Sequence, residues 1–329
     1  MTRRTATAPA RSADPTVLRV REPGDILGVI PYLLGFHPTD SLVAAFIRDR
    51  QVVVTARIDL AATADLEGLL DQLEMVAQRV ATRSLVLVGY ADDEGVRELM
   101  RDLADVIPLD LLDALAVAGD RWWSVACDGP CCPPEGRPYD IGSHPLAAAA
   151  VLAGIPATTT RQQIAELTAG PGTVDRERLG RLAEDWEARV GGMSRRRRRR
   201  RMRQVVERAL AAGGPTEAEA VEIAVLARDV VVRDEACALM SRARGDEHVA
   251  LWRRVVSVAV RPYEAAPLGM LAIAGWMNGN GALLNCCIDR LAEVAPDYSL
   301  LELCKDISEQ AIAPSCFDAI ASDLGAALD

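Results

Sequence analysis

Lysine is almost absent from this chain of 329 residues: of 37 basic side chains only Lys305 is a lysine, and the rest are arginine. Such a bias points to a GC-rich coding genome, and it weakens any argument drawn from a run of arginines. Long apolar runs are missing too. Spanning a bilayer takes roughly 18–20 uncharged apolar residues. The best stretch, Pro145 to Ala157, is shorter and contains Gly154 and Pro156, so no membrane role is expected. Behind Met1-Thr2-Arg3-Arg4 there is no apolar core of a secretory signal, and residues 1–16 read as a disordered tail. No Walker loop and no G-x-G-x-x-G follows any predicted strand, which lowers the expectation of nucleotide binding; no cofactor is expected. A cytoplasmic protein follows, and its eight cysteines then read as reduced thiols rather than as a disulfide framework.

What is present is ample core material. Half the residues are apolar, and the length suits two domains better than one. The net charge of −10 argues for solubility and against whole-protein affinity for nucleic acid or an anionic membrane.

The stretch Leu33 to Ile47 organises the first half. Asp25 to Leu34 has the apolar spacing of a helix, with Pro31 inside it and Gly35 suited to closing it. Leu42 to Ile47 is a continuous apolar run, the mark of a strand covered on both faces. Arg48-Asp49-Arg50 turns the chain into a second strand, Val52 to Ile58. Helices over Ala62–Val80 and Val96–Val106 alternate with strands at Leu85–Val88, Leu111–Val117 and Trp122–Ala126. That alternation predicts a mixed-sheet α/β domain over residues 17–126. Residues 127–157, dense in proline, glycine and cysteine, read as a linker loop. Beyond it, residues 158–329 show helical patterns, one of them a single helix from Glu217 to Val232, and no convincing strand. The second domain is expected to be all-α.

Several of these pieces together resemble the family of the domain of unknown function numbered 4192. Ile30-Pro31-Tyr32-Leu33-Leu34-Gly35-Phe36-His37-Pro38 and Asp40-Ser41-Leu42-Val43 carry most of the likeness. Leu18 to Pro23, Cys127, Cys131 to Gly136, and Ala274-Gly275-Trp276 through Pro296-Asp297-Tyr298-Ser299-Leu300 add to it. The resemblance implies a source among high-GC Gram-positive bacteria, that is an actinobacterial protein, and no particular activity. Within the second domain, Gly279 to Pro296 with Tyr298 beyond is similar to the second half of a tetratricopeptide repeat. Only one such unit is visible, whereas repeat folds need about three, and an ordinary helical hairpin fits as well.

Three groups of residues invite a functional reading. The corner His37, Asp40 and Ser41 offers an imidazole, a carboxylate and a hydroxyl. Sequence neighbours seldom converge as a nucleophile and its base, so turn capping is the favoured role. Cys127, Cys131 and Cys132 with His144 supply the ligand types of zinc, but the spacing is Cys-x3-Cys-Cys, and adjacent thiols point apart. A buried thiol cluster is favoured over a metal or redox site. Arg195, Arg196, Arg197, Arg198, Arg199, Arg200, Arg201 and Arg203 form the densest charge in the chain. Seven consecutive arginines cover every face of two turns at the positive end of a helix dipole. The segment is expected to protrude or fray unless something acidic, either nucleic acid or the protein's own surface, neutralises it.

The function expected is therefore that of a non-enzymatic binding or scaffold protein that meets a protein partner through its helical domain. One alternative is an enzyme with its site near the His37–Ser41 corner and the Cys127–Cys132 loop. Another is a nucleic-acid-associated protein acting through Arg195–Arg203.

Overall fold

The computed structural model of the protein describes residues 22–127, 129, 132–140, 144–146 and 160–328. The expected tail lies outside these residues, as does most of the 127–157 loop. Helix α1, Pro23–Leu34, opens with a reciprocal cap in which the Glu22 N–H donates to Asp25 Oδ2 at 3.3 Å. It carries Pro31 within it and closes at Gly35, whose φ of 83° is left-handed.

Strand β1, Ser41–Arg48, is the axis of the sheet. It pairs antiparallel with β2, Gln51–Asp59, on one side and with β3, Ser84–Ala91, on the other. The hairpin between β1 and β2 turns on Asp49 and Arg50, with φ of 52° and 63°. Two left-handed residues in succession match the twist of the flanking strands, although glycine is the usual occupant. Helix α2, Leu66–Arg79, leads into β3, and α3, Gly95–Val106, carries the chain over to β4, Asp110–Ala118, parallel to β3. Strands β5, Arg121–Ser124, and β6, Arg137–Pro138, extend the sheet antiparallel, giving the order β2-β1-β3-β4-β5-β6. The sixth strand comes from within the stretch read as a loop. It is two residues long and ends on a proline, which only a sheet edge tolerates.

Both faces of β1 are covered, which is why its apolar run is unbroken. Leu42, Ala44 and Phe46 pack with Leu69, Leu73 and Val76 of α2 and Met100 of α3. Val43 on the opposite face packs with Leu27 and Ile30 of α1 and with Trp122.

The rest of the described chain is helical: α4, Arg161–Glu166; α5, Thr173–Gly191; α6, Arg195–Ala211; α7, Glu217–Leu226; α8, Val230–Cys237; α9, Gly245–Val256; α10, Ala265–Met277; α11, Gly281–Val294; α12, Ser299–Glu309; and α13, Phe317–Leu328. No strand occurs among the described residues beyond 145, and none of their helices is long and apolar enough to cross a membrane. Helix α10 is apolar on every side and buried from Ala266 to Met277, as a central helix must be. The expected single helix from Glu217 to Val232 is two. The chain breaks after Leu226, and the Asp229 carboxylate caps α8 by accepting from the Val231 N–H at 3.2 Å.

The helices share one apolar core, and among the described residues a single buried side chain from the sheet half, Phe36, enters it. The corner after α1 is thus the plug by which the first half seats on the second.

Candidate functional site

The corner is built around Ser41 and Arg57. Ser41 is fully buried. Its hydroxyl donates to the Thr39 carbonyl at 2.5 Å and accepts from Arg57 Nε at 2.8 Å. The guanidinium of Arg57 lies 5.9 Å from the centre of the Phe36 ring and pairs with Asp59 at 2.6 Å. Asp40 is exposed with a φ of 45°, and its carbonyl accepts from the Leu60 N–H at 3.0 Å. His37 is half-buried, and that burial lowers its pKa. Neither His37 nor Asp40 bonds the Ser41 hydroxyl, whose hydrogen is committed to a carbonyl. The geometry fixes a turn and a docking surface. It does not present a nucleophile to a base.

Beside this corner the helical half opens a cavity of ≈ 360 Å³, whose lining includes Thr168, Arg176, Cys286, Asp289, Arg290 and Glu293. Its wall is ion-paired: Arg161 Nη2 donates to Asp289 at 2.6 Å, and Arg290 Nη1 to Glu293 at 2.8 Å. Arg161 also feels the charge of Asp59 at the corner. Burial pushes the Cys286 thiol up, against the opposing pull of Arg161 and Arg57. The thiol is therefore protonated near neutral pH and a poor nucleophile.

Of the candidate metal ligands, Cys131 lies outside the described residues. Cys127 and Cys132 are half-buried, and the Cys132 N–H donates to the Gly129 carbonyl at 2.9 Å. The loop is pinned to the sheet through Trp123, whose indole N–H donates to the Pro134 carbonyl at 3.0 Å under the guanidinium of Arg97. His144 packs over Gly28 of α1, with its Nε2 3.6 Å from Asp25 Oδ1. No three metal-ligating side chains converge among the described residues.

The arginine run is ordered helix from its first residue, and of the two acidic neutralisers considered it meets the protein's own carboxylates. Ser194 caps it by accepting from the Arg197 N–H at 3.4 Å. Met202, Val205, Val206, Ala209 and Leu210 bury the far end. The near end packs through carboxylates on the next two helices. Arg201 grips the buried Glu222 of α7 with two bonds, Nε to Oε1 at 2.5 Å and Nη2 to Oε2 at 2.9 Å. Arg199 and Arg203 share the buried Glu235 of α8, at 2.9 and 2.7 Å through their Nε atoms. Arg195 and Arg198 share Asp229, at 3.1 and 3.4 Å. Charge that would repel within one helix is thereby turned into cross-links between three. Arg196, Arg197 and Arg200 face the other way. All three are exposed, and none meets a carboxylate among the described residues.

Glu222, Glu235 and Asp229 escape a reading of the arginine run alone. A signal for one of them does exist: Glu222 sits inside Ala220-Val221-Glu222-Ile223-Ala224. A carboxylate embedded in a buried apolar run demands a cation.

No curated protein and no solved structure matches the chain. One family does. Its model matches residues 23–315, from the first turn of α1 almost to the start of α13, and the chain belongs to the family of the domain of unknown function DUF4192.

Proposed function

We propose that this is a binding protein whose helical half engages an anionic macromolecule in the cytoplasm. The observation that carries the reading is the division of the arginine helix. Five arginines are engaged by three carboxylates of the protein itself, while Arg196, Arg197 and Arg200 remain exposed on one face with no such partner among the described residues. Three exposed guanidinium groups on one helix face raise a local positive potential that attracts negative charge. An enzyme at the corner has less support, because the Ser41 hydroxyl is already committed to Thr39 and Arg57.

Chromatography on an immobilised polyanion such as heparin tests the reading. The wild-type chain is expected to be retained at low salt despite its net charge of −10. The variant Arg196→Glu/Arg197→Glu/Arg200→Glu is expected to pass through. Wild-type protein in the flow-through would overturn the proposal.

A further inference from the structure

Resting on that reading, we infer that the anion is the phosphodiester backbone of a nucleic acid, held by Arg196, Arg197 and Arg200 alone. The inference separates the run by role. Arg195, Arg198, Arg199, Arg201 and Arg203 hold α6 to α8 and its cap and to α7, their charge already met by the protein's own carboxylates. Arg196 and Arg200 are four residues apart, and Arg197 and Arg200 three, so the three side chains form one cluster with neighbours about 5–6 Å apart on the helix surface. The same face runs on to Gln204 and then to Glu207, both exposed, where the positive charge ends. The basic contact is therefore compact, a few phosphates wide.

Two features favour phosphodiesters over an acidic peptide. A guanidinium presents paired donors that match two oxygens of one phosphate, and its plane stacks on a nucleobase as well; an acidic side chain offers only the first contact. The cluster is also borne on a helix fixed from both sides, by the apolar stripe at Met202–Leu210 and by the ion pairs to Glu222 and Glu235. Little order has to be created on binding. The rest of the chain is acidic and repels a polyanion, which confines the contact to this face. Backbone contacts carry no sequence information, so sequence-independent binding is expected.

The experiment is fluorescence anisotropy with labelled single-stranded DNA, single-stranded RNA and duplex DNA, alongside a labelled poly-glutamate peptide, from low to physiological salt. Wild-type protein is expected to bind the nucleic acids. The log–log salt slope should be about −2 for a single strand, at roughly −0.7 for each of three phosphate contacts. Arg196→Ala/Arg197→Ala/Arg200→Ala should abolish binding without moving the melting temperature, since none of the three is paired among the described residues. Binding to poly-glutamate but to no nucleic acid would overturn this inference and leave the broader reading standing. Binding to neither would remove both. Nucleic-acid binding that survives the triple substitution would overturn the assignment to this face.

Discussion

The carboxylate of Glu222, 1 % exposed, is held in a two-bond grip by Arg201, whose own side chain is 34 % exposed. The asymmetry in exposure sets an asymmetry in the cost of breaking the pair. Arg201→Ala leaves a buried carboxylate with no counter-charge, a loss that runs to about 3–5 kcal/mol. Glu222→Gln leaves a guanidinium that can turn toward water, so it should cost clearly less. Arg201→Met/Glu222→Leu removes both charges and should recover most of the loss. Denaturant unfolding of the three variants decides the order. Equal losses from the two single substitutions would refute the asymmetry.

Much of the fold is legible in the sequence, because period and burial agree there. The unbroken run Leu42 to Ile47 lies between two strands and two covered faces, as it must to avoid exposing apolar surface. Other features depend on partners far along the chain. The break after Leu226 lies between two stretches that are both apolar and helical in composition, so only the capping by Asp229 marks it. Helix α13 lies outside the helical patterns read from the sequence, and its Phe317 becomes telling only once its ring stands edge-on to Trp276, 6.1 Å away. The corner His37–Ser41 reads as a collection of reactive groups until Phe36 is seen in the helical core and Arg57 over it. The arginine run reads as loose charge until Glu222 and Glu235, more than twenty residues later, are brought against it.

Ser41→Ala tests the structural role of the corner. It removes the acceptor of Arg57 Nε, whose side chain is only 17 % exposed. An unmet buried donor costs about 1–3 kcal/mol, and unfolding measurements should show a loss of that order. A serine-directed fluorophosphonate should leave Ser41 unlabelled in the native protein, because its hydroxyl is buried and committed to the Thr39 carbonyl and Arg57. Labelling at Ser41 would revive the enzyme reading.

Gly136 locks the cysteine loop onto the sheet. Its φ is 77°, and a Cβ there would stand 2.5 Å from the Trp123 ring. Gly136→Ala therefore combines a disfavoured backbone with a clash against a large, hydrogen-bonded side chain. The expected result is a loss of about 1–3 kcal/mol and altered tryptophan fluorescence, with the Trp123–Pro134 hydrogen bond broken. An unchanged spectrum with unchanged stability would show that the loop is not anchored there.

His248 makes the stability of the helical half pH-dependent. It is 1 % exposed, its Nε2 accepts from the Ser241 N–H at 3.3 Å, and its buried Nδ1 has no partner among the described residues. Burial, helped by the positive charge of Arg244 and opposed by Glu247, lowers its pKa from 6.5 to about 4. The unfolded chain thus binds this proton more tightly than the folded one. The neutral imidazole's contribution is complete above pH 6.5 and is lost as the pH falls from 6.5 toward 4. Within that window each pH unit costs up to about 1.4 kcal/mol. His248→Gln keeps an acceptor for the Ser241 N–H but cannot titrate. Stability measured from pH 7 down to 5 should therefore fall more steeply for the wild type than for the variant, and parallel curves would show that His248 is not the group responsible.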